Sequence, residues 1–242
     1  MKAIILTKNL IPFPTTYGTA IQAWSFATTL VSRGYDVHLC VFAFDAQKGK
    51  MEWDRYGQES IFALLEKEHI TVHLIEKNDS KVVTSKSGKW VSRLDRINSA
   101  IHPDIEEIFE IDLYRNRISD LIREINPDFI CAWTDYAANV IDPSLPYPLI
   151  AVTTDLIHLA RKYKRSMMMS KGLRSRYNAF LANLQERKLS QNTVRVLKRC
   201  DLVFNHAKHH ADWLRRHGIP NVIYYPIPVL PPDQEWVEKE TN

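Results

Sequence analysis

The sequence predicts an α/β domain with a doubly wound, mostly parallel sheet of about seven strands and helices on both faces. Two observations carry this. Short apolar runs rich in β-branched residues recur along all 242 residues. Between most of them lie stretches with the helical period, apolar at i, i+3, i+4 and i+7. Strands joined through helices pair in parallel, because two parallel neighbours need a long crossover between them.

Lys2 to Thr7 (KAIILT) is the first such run. The stretch from Lys8 to Tyr17 is broken by Pro12 and Pro14 and reads as a loop. Gly18 opens a helix whose apolar stripe is Ala20, Ala23, Trp24, Ala27, Leu30 and Val31. Gly34, after Arg33, marks its end. Val37 to Phe42 (VHLCVF) is the second strand, which completes one βαβ unit. Ligands of such units bind beyond the carboxyl ends of the strands. The proline loop and Gly18 fall there, at the positive end of a helix, where anions are favoured.

Ser60 to Lys67 reads as a short helix and Ile70 to Ile75 as the third strand. Asn78 to Ala100 is polar, holds five Lys and Arg residues, and is long for a connection. It reads either as a solvated loop or as a flap over a cleft. Pro103 suits the first turn of a helix whose apolar face includes Ile105, Ile108, Phe109, Ile118, Leu121, Ile122 and Ile125. Asn126-Pro127 stops that helix. Phe129 to Trp133 and Leu149 to Thr153 are the fourth and fifth strands. A long helix spans about Leu173 to Cys200, and Leu202 to Phe204 is the sixth strand. A helix from Lys208 to His217 stops at Gly218, and Asn221 to Tyr225 is the last strand. The domain is expected over 1–225. The proline-rich residues 226–242 read as an interdomain linker or tail.

Composition is that of an ordinary globular protein: 45% hydrophobic, 25% charged, net charge +4. No apolar run approaches the roughly 18 residues of a membrane span. Nothing at the N-terminus resembles a cleaved signal. Cys40 and Cys131 fall in predicted buried strands, Cys200 ends a helix, and no C-x-x-C exists. Reduced thiols and a cytoplasmic location are expected.

The motifs of several other chemistries are missing. With seven glycines the chain has no G-x-G-x-x-G. It also has no phosphate-binding G-x-x-x-x-G-K-[ST], no D-x-D triplet and no G-x-S-x-G elbow. His206 and His210 are four apart and would share a face if both lay on a helix. No third ligand accompanies them, so no metal is expected.

The chemistry-bearing residues gather at strand ends. Thr153, Thr154, Asp155 and His158 follow the fifth strand. Asp155 reads either as part of a site or as the N-cap of a following helix, with His158 in its first turn. After the fourth strand, Thr134, Asp135 and Tyr136 face the same crevice, and there capping is the favoured role. The segment from Arg161 to Arg176 holds Arg161, Lys162, Lys164, Arg165, Lys171, Arg174 and Arg176 and no acid. Interleaved Tyr163, Met167, Met168, Met169 and Leu173 suit an anionic membrane surface or the phosphates of a lipid-linked or nucleotide ligand. A solvated loop is the plainer alternative. No nucleic-acid motif accompanies the segment, and none is expected as a partner.

An N-terminal strand, a P-x-P loop ending in glycine, a helix and then Arg33-Gly34-Tyr35-Asp36-Val37-His38-Leu39 resemble the start of GT-B glycosyltransferases of the family 4 type. The final elements agree. Asp201 to Phe204, the helix to Trp213-Leu214, Gly218 to Val222 and Pro226-Ile227-Pro228-Val229 are similar to the end of that family's Rossmann-like N-domain. The resemblance covers essentially all 242 residues, and half of such an enzyme.

The resemblance implies a retaining transfer of a sugar from a nucleotide-diphosphate donor, without a metal or other cofactor. This chain would supply the acceptor-binding half. A C-terminal GT-B domain, in cis or on a partner chain, would hold most of the donor. Thr16, Tyr17, Gly18 and Thr19 would lie at the donor phosphates. Asp155 and His158 would be the catalytic candidates beside the transferred sugar. Arg161, Lys162, Lys164, Arg165 and Arg174 would contact a glycan or lipid-linked acceptor, or the anionic inner face of a membrane. The alternative is a non-catalytic module that binds a protein partner or membrane through the basic segment.

Overall fold

The computed structural model describes residues 1–8, 10–12, 18–44, 58–76, 111–154, 156, 159 and 173–226, without the side chains of 44, 58–60, 111–112 and 173–178. The sheet has seven strands. They are β1 (Lys2–Lys8), β2 (Asp36–Phe44), β3 (Ile70–Glu76), β4 (Phe129–Trp133), β5 (Leu149–Thr153), β6 (Leu202–Asn205) and β7 (Val222–Tyr224). The helices are α1 (Gly18–Ser32), α2 (Gln58–Lys67), α3 (Ile111–Ile125), α4 (Asp135–Val140), α5 (Leu173–Leu197) and α6 (Lys208–Arg216).

The strand order is β3-β2-β1-β4-β5-β6-β7. Every pairing is parallel. The chain therefore winds outward from β1 in one direction as far as β3, then returns to the centre and winds the other way from β4. This is the doubly wound arrangement expected from the alternation of strands and helices.

Strand alternation divides the core in two. Ile5, Leu39, Val41, Cys131, Trp133 and Val152 pack on one face with Ala20, Ala23 and Ala27 of α1 and Ile61 and Leu65 of α2. Ile4, Leu6, Cys40, Phe42, Ile130, Ala132, Ala151 and Val203 pack on the other with α3 to α6. The three alanines let α1 lie close to the sheet. On the second face Tyr114, Ile118 and Ile122 of α3 are each about 1% exposed. Burying each such side chain contributes roughly 1.5–3 kcal/mol.

Three helix ends follow their sequence signals. Gly34, with φ of 83°, closes the turn after α1, and Gly218, with φ of 79°, does the same after α6. Asn126, in the left-handed region at φ 52°, follows α3 just before Pro127. The long helix α5 ends at Leu197 rather than Cys200. Arg199, just beyond it, donates through Nη2 to the carbonyls of Ala138 and Ile141 at the end of α4. Cys40, Cys131 and Cys200 are all buried free thiols.

The polar stretch 78–100, the first helical residues expected from Pro103, the basic run 161–172 and the tail 227–242 lie outside the described residues. Among the described residues, no helix is long and apolar enough to cross a membrane.

Candidate functional site at the carboxyl ends of the strands

All seven strands point the same way, so their carboxyl ends share one rim. The order reverses between β1 and β4, and the loops after these strands leave in opposite directions. Beyond β1, the buried Thr7 hydroxyl donates to the Leu10 carbonyl at 2.6 Å and turns the chain. Leu10 and Pro12 are buried. Helix α1 then begins at Gly18, which is exposed, and Thr19 is half-buried. A Cβ on Gly18 would meet no atom within 4 Å. The backbone there is open to an approaching group, at the end of the helix that favours anions.

Across the crevice, β4 passes straight into α4. Thr134 is its N-cap, accepting from the Ala137 amide at 3.3 Å. This bears out capping as the role of the segment. The Asp135 carboxylate accepts from Thr193 Oγ1 of α5 at 2.8 Å. Burial pushes the Asp135 pKa up, and the Thr193 hydrogen bond opposes that shift. Asp135 is thus a structural tie between two helices. Lys8 Nζ stands 5.1 Å from the centre of the Tyr136 ring and bridges the crevice.

The ends of β5 and β6 are joined by a buried amide. Asn205 donates from Nδ2 to Thr153 Oγ1 at 2.8 Å and to the Thr154 carbonyl at 3.2 Å. Its Oδ1 accepts from the Ala207 amide at 2.8 Å. Thr153 Oγ1 in turn donates to the Phe204 carbonyl at 3.0 Å. This clamp fixes the chain at Thr154, just before Asp155. Asp155 and His158 themselves lie outside the described residues, as do Thr16, Tyr17, Arg161, Lys162, Lys164 and Arg165. Arg174 is in α5, and its side chain is not described. Leu156 anchors the segment by burial in the core.

His206 and His210, four apart in the sequence, do not share a helix, because the helix begins at Lys208 as expected. His206 precedes the α6 N-cap, Ala207, and its Nδ1 lies 2.8 Å from the Tyr225 carbonyl. His210 lies on α6 and is buried at 4% exposure. The β6–α6 connection separates them because Asn205 turns the backbone at Ala207. Among the described residues, no group of three or more His, Cys, Asp or Glu side chains could hold a metal ion.

A groove of about 200 Å³ lies beside the rim, on the α1 face of the sheet. Gln22, Ser25, Phe26 and Thr29 of α1 form one side. Trp133, Val152, Phe204, His206 and Tyr225 form the other. The register explains the second wall: Trp133 pairs with Val152, and Val152 with Phe204, so the three stand in a row across β4, β5 and β6.

No family model and no curated protein matches this sequence. Several solved structures are similar to it in fold. One is sucrose-phosphate synthase from Thermosynechococcus elongatus, at 9% identity and a TM-score of 0.47, with 88% of this chain and 44% of that one covered. Another is UDP-GlcNAc 2-epimerase from Methanocaldococcus jannaschii, at 12% identity and a TM-score of 0.44, covering 92% and 45%. A third is UGT89C1 from Arabidopsis thaliana, at 14% identity and a TM-score of 0.44, covering 96% and 51%. The chain spans about half the length of each of these proteins.

Sequence reasoning missed the groove. The signal available was Gln22, a polar residue 8% exposed among the buried alanines of α1. Gln22, Ser25, Phe26 and Thr29 repeat the i, i+3, i+4, i+7 spacing on a stripe beside the alanines.

Proposed function

We propose that this chain is the acceptor-side, N-terminal half of a retaining GT-B glycosyltransferase, similar to family 4 and using a nucleotide-diphosphate sugar. The observation that carries the reading is the β1–loop–α1 unit at the reversal of strand order. There the buried Pro12 follows β1, and the exposed Gly18 stands at the N-terminus of α1. Free backbone N–H groups at such an end, with the helix dipole behind them, suit a diphosphate.

In this reading the donor phosphates meet the backbone of Thr16 to Thr19, and the sugar lies toward Asp155 and His158. The Asn205 clamp supports it by holding the backbone at Thr154 to β6. Positioning and charge stabilisation of the leaving diphosphate then account for the rate, with a second α/β half contributing the rest of the donor contacts. The basic residues from Arg161 to Arg174 attract an anionic acceptor or the membrane that carries it.

The test is glycosyl transfer by protein purified from its native source. A panel of labelled nucleotide-diphosphate sugars would be offered with lipid and glycan extracts as acceptors. Label should enter an acceptor, and His158→Ala should lower kcat/KM by about tenfold or more, the scale of one or two lost polar contacts. No incorporation from any donor would overturn the proposal. Full activity in His158→Ala would remove that residue from it.

A further inference from the structure

We propose that Asp36, His38 and His73 form a proton-operated latch, which holds the edge strand β3 to β2 near neutrality and lets it open in acid. The inference is independent of the transferase reading and uses none of its residues.

The three groups form a chain on one face of the sheet. Asp36 Oδ2 stands 3.4 Å from His38 Nε2, both on β2. His38 Nδ1 stands 3.0 Å from His73 Nε2 on β3. The two ring planes are inclined at 22°. An imidazole N–H and its lone pair both lie in the ring plane, so this orientation suits a direct hydrogen bond. The register explains the meeting. Cys40 pairs with His73, and His38 precedes Cys40 by two residues, on the same face.

The acceptors place the protons. Asp36 accepts from His38 Nε2–H, which leaves His38 Nδ1 bare. That nitrogen accepts from His73 Nε2–H, and His73 Nδ1 is the other bare nitrogen. A first added proton goes to His73 Nδ1 and leaves the contact whole. A second must go to His38 Nδ1. Two N–H groups would then face each other at 3.0 Å, on two positively charged rings. The doubly protonated pair has to part, and each ring then turns its N–H groups to water.

The surroundings resist charge on the pair. Burial and His38 oppose a proton on His73, and Glu124 of α3 partly offsets them. Arg117, also on α3, adds positive charge on the Cys40 side. Its Nη1 donates to the Glu76 carbonyl at the end of β3 at 3.2 Å. Lys2 of β1 pairs with Asp36 in the register, and its Nζ donates to the Ile125 carbonyl at 3.2 Å. Helix α2 packs on the opposite face.

Strand β3 is the element able to yield. It lies at the sheet edge, next to β2. Of its seven residues only Ile70 and Ile75 are buried, against five of seven in β1. Elements with few buried side chains open locally at less cost than the whole domain.

The test is amide hydrogen exchange of the 242-residue chain, each rate referred to that of free peptide at the same pH. At pH 7.5 the β3 amides should be protected at least tenfold less than those of β1, because β3 opens without global unfolding. From about pH 7.5 to about pH 5.5 the β3 protection should fall by about tenfold or more, the scale of one proton taken up on opening. His73→Gln, whose amide can donate to His38 Nδ1 but does not titrate, should remove most of that pH dependence. Ring-nitrogen NMR of the native chain at pH 7.5 should find a proton on one of the two facing nitrogens and none on the other. Equal protection of β3 and β1 overturns the proposal. So does β3 protection that does not change with pH, an unchanged pH dependence in His73→Gln, or two bare facing nitrogens in the native chain.

Discussion

Asn205 Nδ2 donates to Thr153 Oγ1 at 2.8 Å, and both side chains are almost wholly buried at the carboxyl ends of adjacent strands. The pair replaces, with side chains, the ladder that ends where β5 and β6 give way to loops. It holds the chain entering the 154–158 segment against the sheet.

Asn205→Ala removes both amide donors and the acceptor for the Ala207 amide. The expected cost is about 2–3 kcal/mol, because partners in a buried place are left unsatisfied. Urea unfolding should show a lower midpoint with an unchanged slope. An unchanged midpoint would mean that the clamp is not a source of stability.

Thr134 adopts φ of 100° and ψ of 158° while capping α4. That region of backbone space is strained for any residue with a Cβ, at roughly 1–3 kcal/mol. Thr134→Ala loses the cap and keeps the strain, and should destabilise by about 1 kcal/mol. Thr134→Gly loses the cap and relieves the strain, and should be neutral or stabilising. Thermal unfolding of the two variants should therefore move apart. If both fall together, the backbone strain is not real.

The strands Phe129–Trp133 and Leu149–Thr153 were legible to the residue. Each is a continuous apolar run, and Pro127 and Pro148 stand just ahead of them. Helix α4 was legible only through its cap, because its six residues are too few to show a period. The groove was not legible at all. Its walls come from α1, three strands and the residues just after β6 and β7, and a one-dimensional pattern does not show which side chains converge. The start of α6 at Lys208 was legible, and it leaves His206 outside the helix that carries His210.

His73 Nε2 lies 3.0 Å from His38 Nδ1, and the two rings stack. Burial lowers the His73 pKa, the neighbouring His38 lowers it further, and Glu124 opposes them. Asp36 faces the far side of His38 at 3.4 Å. Since the folded state resists the proton that the unfolded state accepts, stability should fall as pH drops below the ordinary histidine value. The stability lead of the native chain over His73→Gln should shrink between about pH 7.5 and about pH 5.5. A lead that grows toward acid would reverse the sign and refute the argument.

The three thiols are shielded rather than reactive. Burial pushes the pKa of Cys40 up to about 12, with Arg117 opposing, and that of Cys200 up to about 12, with Arg199 opposing. Cys131 is also raised, by burial and by Cys200. Few thiolates exist near neutrality, and the thiolate is the nucleophile. Ellman's reagent should label no cysteine in the native protein within minutes and three in urea. Rapid labelling without denaturant would show that the strands open far more readily than their packing implies.

Strand β1 occupies the middle of the sheet, yet its neighbour on one side comes late in the chain. The Lys2 amide donates to Asp128, 126 residues further on. At a synthesis rate of about 5–20 residues per second, roughly 6–25 s pass on the ribosome before β4 can reach it. During that interval β1 to β3 can pair with one another, while the far edge of β1 presents a row of unclaimed amides and carbonyls. A nascent chain of this order needs a chaperone, or its own later segments, to keep that edge from recruiting a foreign strand.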